Sequence, residues 1–263
     1  MAAVWSNEQM ISQQQLTLFY NTLLNSEKYD DYCPNGLQIE GNKEIRKVAF
    51  AVSATKDSIE QAVMHQADVL VVHHGLFWKF HGPKTLTGAF AKRVFPLVKN
   101  NINLLAYHLP LDGHTEVGNA AMLSTLLDCT QQQAFGEYKG SPTGIKGILK
   151  QPLTVTALTK KLEDILNHPV ILASTDKSQI INSIGIITGG ANSEWQLAKE
   201  QGLDAYITGE ISEHDWHESQ ESGIHMLAGG HNATEQFGIQ ALMVKTQQQF
   251  DLPCVFISSE NPA

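Results

Sequence analysis

Short apolar runs alternate with amphipathic stretches over much of the chain. Residues 13–25 carry apolar side chains at helical spacing, which predicts an amphipathic helix. Apolar runs at 48–52 and 69–72 flank a second helical pattern at 56–65, and a further run follows at 103–107. Continuous apolar runs are typical of strands that are covered on both faces, as in parallel sheets. The strand–helix–strand order therefore predicts an α/β fold with a parallel core.

The middle of the chain interrupts this order. The glutamines at 131–133 and the Gly- and Pro-containing segment 140–144 are typical of a linker or of loops. Residues 154–166 predict a single helix, which begins at the capping residue Thr154 and ends before Pro169.

The first pattern then returns as an internal repeat. Residues 184–210 align with residues 48–74 at a constant offset of 136 positions and without a gap. Asp204 keeps the position of Asp68, directly before the second strand of the unit. Because all βαβ units share this pattern, a chance match is the alternative. The constant register favours a duplication.

Histidines and carboxylates follow three of the predicted strands, at the end of the sheet where open α/β proteins bind their ligands. Imidazole and carboxylate are ligands that zinc, iron and manganese accept. For each residue alone the plainer interpretation is a histidine that hydrogen-bonds within its loop or a solvated acid. Together, the six donors exceed what one tetrahedral ion needs and predict two divalent metal ions, as in metal-assisted hydrolysis. The six candidate ligands are His73, His74, His108, Asp112, His231 and Glu235.

Glu210 occupies the position of His74 in the repeat. We interpret it as a candidate catalytic residue, a proton shuttle or a group that orients a ligand. The alternative is an acid near the N-terminus of the next helix, which the helix dipole favours.

Composition narrows the function classes. The 263 residues are 42% hydrophobic, which excludes a disordered, collagen-like or coiled-coil protein. A net charge of −9 argues against a broad nucleic-acid-binding surface and a polybasic membrane anchor. We also expect no membrane span and no secretory signal. The three cysteines lie far apart and form no disulfide framework, so we expect a cytoplasmic protein.

Five motifs together carry a family resemblance. The chain resembles the dinuclear-metal YbgI-like family, also labelled "GTP cyclohydrolase I type 2 homolog" and related to the Ngg-one-interacting-factor-three proteins. The resemblance runs from about residue 13 to the end of the sequence. The motifs are Tyr32–Gln38, Val72–Gly75 followed by Phe77 and Trp78, Tyr107–Asp112, Ile207–Glu210 and Gly230–Glu235.

The resemblance implies two similar α/β/α domains with the metal site in the cleft between them, and a ring-shaped homohexamer built as a trimer of dimers. It also implies that the six candidate ligands bind two divalent ions, namely zinc, iron or manganese. Asn232 departs from the family pattern, in which a second histidine can follow His231. We place the first domain at residues 1–128 plus 232–263 and the second at residues 129–231.

Two functions follow from these expectations. The first is a metal-dependent hydrolase of a small-molecule substrate, and the alternative is a metal-handling, metal-delivery or scaffold protein without catalysis. Structural metal sites are closed by protein ligands, whereas six donors for two ions leave room for water, which favours chemistry. The family has no agreed substrate, and the sequence contains no Walker or G-x-G-x-x-G motif that would hold GTP.

Overall fold

The computed structural model describes residues 9–263, and the chain divides into two compact units. The first unit comprises the described residues up to His108 together with Leu242–Ser259. The second comprises Leu109–Ala241 and Glu260–Ala263. The domain boundaries that we placed from the sequence stay a prediction. Across residues 9–263, no helix has both the length and the apolar character that a membrane crossing requires.

The first unit begins with an amphipathic helix, as predicted. A capping box starts it: the Ser12 hydroxyl accepts from the backbone N–H of Gln15, and the Gln15 side chain accepts from the backbone N–H of Ser12. Its elements up to His108 are β1 (Ile11–Ser12), α1 (Gln13–Leu24), β2 (Gly36–Ile39), β3 (Glu44–Ile45), β4 (Val48–Ser53), α2 (Lys56–Met64), β5 (Val69–His74), α3 (Gly88–Lys99) and β6 (Asn103–Ala106).

The second unit contains the helix that the sequence predicts at 154–166, with the Thr154 hydroxyl capping the backbone N–H of Ala157. Its elements are α4 (Leu109–Asp112), α5 (Asn119–Leu126), β7 (Cys129–Tyr138), β8 (Ser141–Thr154), α6 (Val155–Leu166), β9 (Ile171–Ala173), β10 (Ile180–Ile186), α7 (Trp195–Glu200), β11 (Ala205–Thr208), α8 (Glu213–Glu221), β12 (His225–Ala228) and α9 (His231–Thr234).

The chain then returns to the first unit through α10 (Gln236–Phe250) and ends its regular structure with β13 (Cys254–Phe256). The sheet of the first unit has the strand order β13-β4-β5-β6-β2, and its strands are parallel except for β2. The sheet of the second unit has the order β7-β8-β10-β11-β12-β9, with β10, β11 and β12 parallel. Strands β5, β6, β11 and β12 are almost wholly buried, as expected for strands covered on both faces. The predicted α/β fold is confirmed.

The prediction of a linker or loops at 131–133 and 140–144 was wrong. Residues 131–133 lie in β7 and residues 141–144 in β8, and the two strands form an antiparallel hairpin; of these residues only Gly140 lies in a turn. Lys139 and Gly140 connect the two strands, with φ values of 50° and 85°. Two residues with positive φ match the twist of a tight hairpin. Strand β7 lies at the edge of its sheet and is mostly exposed, so its polar sequence carries no apolar strand pattern.

The repeat seen in the sequence has a counterpart in the strand register. In the first unit Val48 pairs with Val69, and in the second Ile184 pairs with Ala205, which are the residues 136 positions further on. The helices between them end alike, because the second residue after the helix has positive φ in both units: 54° at Gln66 and 71° at its equivalent, Gly202. The two segments therefore share both strand pairing and backbone path.

Candidate metal centre

His73 and His74 are the last two residues of β5, in the middle of a buried parallel sheet. His73 is fully buried, and its Nδ1 lies 2.9 Å from the backbone oxygen of Tyr107. Because a carbonyl oxygen only accepts, Nδ1 carries the proton and Nε2 keeps the lone pair that a metal needs. His74 is half-buried, and its Nδ1 lies 2.9 Å from the Ser53 hydroxyl at the end of β4.

His108 follows β6 and is held by two side chains of the loop that precedes β2. The backbone N–H of His108 donates to Asn35, at 2.9 Å, and its Nδ1 lies 3.0 Å from the Asp31 carboxylate. Burial opposes ionisation of Asp31, but hydrogen bonds from His108, Cys33 and Asn35 outweigh it and hold the pKa of Asp31 below its ordinary value. The ionised Asp31 fixes the Nδ1–H tautomer of His108 and leaves Nε2 to act as a ligand.

The three imidazoles of the first unit form one cluster. Each of His73, His74 and His108 offers a ring nitrogen, and these atoms lie within 4.8 Å of one another. The ring centroid of His73 lies 4.6 Å from that of His74 and 5.0 Å from that of His108. Three imidazole nitrogens at this separation can bind one metal ion, and the structure brings these predicted residues together.

Asp112 lies at the end of the helical turn α4 in the second unit. Its side chain is buried, and its Oδ1 accepts from the Asn119 amide at 3.0 Å and from the Thr188 hydroxyl at 3.3 Å. The Asn119 side chain is fully buried and accepts in turn from the backbone N–H of Gly238 at 2.9 Å. Asp112 is therefore a carboxylate whose orientation is set by neutral donors, as is usual for metal-ligating carboxylates.

His231 lies between two carboxylates of the second unit. Its Nδ1 is 2.6 Å from Glu210 Oε1, and its Nε2 is 3.2 Å from Glu235 Oε2. Burial alone would lower the pKa of His231, but hydrogen bonds and charge attraction from Glu235 and Glu210 raise it to about 9. The spacing of four residues brings His231 and Glu235 onto one side of α9, as the sequence predicts.

Glu210 is not a helix N-terminal acid, because α8 begins three residues later, behind the cap residue Ser212. It lies beside the candidate ligand His231, where it holds the Nδ1–H of the imidazole. Gly189 leaves space for the other carboxylate beside His231, that of Glu235. Its φ is 67°, and a Cβ at this position would collide with the Glu235 carboxylate. A glycine is required here both for the backbone conformation and for the space.

Two residues that hold candidate ligands, Asp31 and Asn119, carry no recognisable pattern in the sequence. Asp31 and Asn119 lie outside every histidine–carboxylate pair that we identified from spacing. Asp31 lies one residue before the motif that begins at Tyr32, but nothing in that motif indicates a contact with His108. Contacts between residues so far apart in the chain, such as the 77 positions between Asp31 and His108, need the fold to be seen.

The donor chemistry of the candidate ligands fits divalent metal ions. One ring nitrogen of His73, of His108 and of His231 is fixed by an oxygen of its own unit, which leaves the other ring nitrogen as a possible ligand. This support by an outer layer of hydrogen bonds is typical of histidines that ligate metals. The mixed nitrogen and oxygen donors suit zinc, iron or manganese better than calcium or magnesium.

Known proteins resemble this chain over nearly its whole length. A protein of Pasteurella multocida named "GTP cyclohydrolase 1 type 2 homolog" is 43% identical over 249 residues, which cover 95% of this chain and 98% of the relative. A protein of the same name from Haemophilus influenzae is 41% identical over 250 residues, covering 95% and 98%. The solved structure titled "protein ybgI, unknown function" superposes with a TM-score of 0.89 at 37% identity, covering 96% of this chain and 100% of that one. The profile of the Duf34/NIF3 (NGG1p interacting factor 3) family matches residues 11–262, and the chain belongs to this family.

Proposed function

We propose that this protein is a metal-dependent hydrolase that uses two divalent ions and acts on a small-molecule substrate. The observation that carries the proposal is the cluster of His73, His74 and His108, whose ring nitrogens lie within 4.8 Å of one another. Two of these rings are held with Nδ1 protonated, so their free lone pairs are on Nε2. Histidines whose second ring nitrogen is fixed by a hydrogen bond in this way are typical of metal ligands rather than of histidines that only pack in a core.

We assign six ligands to the two ions, which are zinc, iron or manganese. When bound, the ions would supply Lewis acidity to polarise the substrate and to activate water. Six donors leave coordination positions open on two ions, which a hydrolase needs and a closed structural site lacks. The six residues are His73, His74, His108, Asp112, His231 and Glu235.

Glu210 has a separate role in this proposal. Its carboxylate holds the Nδ1–H of His231 at 2.6 Å and remains half-exposed. It can therefore keep the imidazole oriented and exchange a proton with solvent at Oε1 or Oε2. Asp31 and Asn119 have purely positioning roles, since each holds one candidate ligand and is itself buried.

The test combines metal content with turnover. Purified protein is analysed for bound metals by mass spectrometry, then assayed on nucleotides, phosphoesters and peptides before and after chelation. Loss of turnover on chelation and its return with one added metal support the proposal. The control is His65→Ala, because His65 is an exposed histidine of the first unit outside the cluster. Transfer of the metal to an apo acceptor without turnover would instead establish the metal-handling function.

We further propose that the protein assembles as a ring-shaped homohexamer, which its family membership supports. We also propose that it is cytoplasmic. Its cysteines support this location, because Cys33, Cys129 and Cys254 are all free thiols within residues 9–263. Light scattering that gives the mass of a single chain at micromolar concentration would contradict the hexamer.

A further inference from the structure

Three aromatic rings of the first unit form a connected surface, here called the aromatic platform: Tyr32, Trp78 and Phe80. Trp78 and Phe80 are stacked, with centroids 5.6 Å apart and an angle of 28° between the rings. Tyr32 contacts both, with centroid distances of 5.9 Å to Trp78 and 5.7 Å to Phe80. Phe80 remains 65% exposed, so one ring of the platform faces solvent.

The aromatic platform is continuous with the imidazole cluster. Tyr32 and Trp78 present their rings to His108 at centroid distances of 5.0 and 5.1 Å, with near-perpendicular geometry for Trp78. Trp78 also contacts His74, at 6.0 Å. Tyr32 and Trp78 therefore connect Phe80 to the candidate metal ligands, so a substrate whose ring lies on Phe80 has to extend past one further ring to reach them.

The platform is rigid at its base. The Trp78 indole N–H donates to the backbone oxygen of Gly75 at 3.1 Å. The backbone N–H of Lys79 donates to the backbone oxygen of Tyr32 at 2.8 Å. The Lys79 ammonium donates to the backbone oxygen of Asp31, the residue that holds His108. A surface that is ordered before binding loses little conformational entropy when a ligand arrives.

The size of the exposed apolar surface suits a small planar ligand. Phe80 is flanked by Lys79 and His81, which are both exposed and polar, so the apolar patch is about as wide as one ring along this segment. Stable protein interfaces bury about 800 Å² on each partner, several times what one aromatic side chain offers. A planar heteroaromatic ring stacks on an aromatic side chain of this kind irrespective of its substituents.

We propose that the aromatic platform binds a planar heteroaromatic ring of the substrate, stacked on the exposed face of Phe80, and so directs the reacting group towards His74 and His108. This inference rests on the proposed function, because it gives the hydrolase its substrate class. It assigns Phe80 as a residue that determines specificity.

The test compares ligands with and without a ring. Guanosine and cytidine 5′-monophosphates are titrated into the full-length protein, with ribose 5-phosphate as the ring-free probe that shares their sugar and phosphate. Binding is followed by saturation-transfer NMR and by tryptophan fluorescence. We expect at least one nucleotide to bind about ten-fold more tightly than ribose 5-phosphate. Equal affinity for all three probes would overturn the proposal.

Variants of Phe80 provide the second arm. Phe80→Ala is expected to weaken nucleotide binding about ten-fold, Phe80→Trp to retain it, and neither to change the affinity for ribose 5-phosphate. Phe95→Ala is the matched control, because Phe95 is an exposed phenylalanine on α3. Unchanged nucleotide binding in Phe80→Ala would overturn the proposal. So would a change of molar mass in that variant without a change in binding, since Phe80 would then serve a contact between copies of the chain.

The two proposals fail in different ways. Phe80-dependent nucleotide binding without metal-dependent turnover supports the platform and contradicts the hydrolase. Metal-dependent turnover of ring-free substrates, unaffected by Phe80→Ala, supports the hydrolase and overturns the platform. Metal content is measured in each variant, because a loss of metal in Phe80→Ala would show that the substitution acts on the imidazole cluster and not on ring stacking.

Discussion

Asp68 and Asp204 make the same hydrogen bonds in the two units. The Asp68 Oδ2 accepts from the backbone N–H groups of Arg46 and Lys47, at 2.8 and 3.2 Å. The Asp204 Oδ2 accepts from the residues 136 positions further on, at 2.8 and 2.9 Å. In each unit, one carboxylate before the second strand thus accepts hydrogen bonds from two backbone N–H groups at the first strand. The two halves repeat at the level of individual contacts, which supports the duplication.

Removing either carboxylate should destabilise the protein. Asp68→Ala and Asp204→Ala each leave two backbone N–H groups without their acceptor, which costs about 1–3 kcal/mol of the free energy of unfolding. The matched asparagine variants keep one acceptor oxygen and should lose less. Denaturation in urea measures both. Asp164→Ala is the control, because Asp164 forms an exposed ion pair with Lys160 that contributes little. A loss in Asp204→Ala no larger than in this control would contradict the role we assign to the contact.

The sequence predicted those helices and strands whose buried faces require a regular pattern of apolar residues. Strands β4 and β5 carry continuous apolar runs because both faces are covered, and α1 shows its core-facing residues at helical spacing. The hairpin of β7 and β8 escaped prediction because β7 is an edge strand whose side chains mostly face solvent. Polar residues such as the glutamines at 131–133 are tolerated there, so no periodicity remains to detect.

The candidate ligands were predictable for a related reason. They stand where strands end and loops begin, at spacings that the chain itself displays, as with His231 and Glu235. The residues that hold these ligands could not be predicted, because Asp31 and Asn119 reach their partners only after the chain has folded. Asp and Asn at loop positions are common in any protein, so their identity alone indicates a turn and not a role at a site.

The metal prediction is the most direct. Purified protein should carry close to two divalent ions per chain, and Asp112→Ala and Glu235→Ala should each lower the metal content sharply because an anchoring carboxylate is lost. Glu116→Ala, which removes an exposed carboxylate near Asp112 in the sequence, should leave the content unchanged. Elemental analysis of the three variants provides the comparison. Full metal content in both ligand variants would rule out the site as assigned.

Asn119 should matter for metal binding although we assign it no bond to metal. Asn119→Ala removes the donor to Asp112 and the acceptor for the backbone N–H of Gly238 within a fully buried environment. We expect a loss of about 1–3 kcal/mol of stability and weaker metal retention during dialysis against a chelator. Asn182→Ala serves as the control, since that side chain is exposed. Unaltered metal retention in a folded Asn119→Ala protein would remove Asn119 from the support of Asp112.

Buried His225 should make stability depend on pH. Burial lowers the pKa of His225 below its ordinary value, although the negative charges of Asp176 and Asp204 act to raise it. The Nδ1 of His225 lies 2.8 Å from the Ser174 hydroxyl. The folded state therefore binds fewer protons than the unfolded state between the two pKa values, so stability falls as the pH drops through about 6.5. His225→Asn, which keeps a polar group near Ser174, should lose this dependence. Urea denaturation at about pH 5 and pH 7.5 measures the difference, and parallel profiles for the two proteins would refute it.

Glu210 is the candidate that tests the repeat and the chemistry together. It aligns with His74, and the structure places its carboxylate 2.6 Å from His231 Nδ1. Glu210→Gln keeps a hydrogen-bond acceptor at that place but removes the negative charge. We expect the metal content to remain, because Glu210 is not among the assigned ligands, and the turnover number to fall about 10²-fold or more if it moves a proton in the rate-limiting step. Glu213→Gln, an exposed glutamate in the first turn of α8, is the control. If turnover is unchanged while metal content drops, Glu210 acts only by holding the imidazole of His231, and its role in proton transfer is excluded.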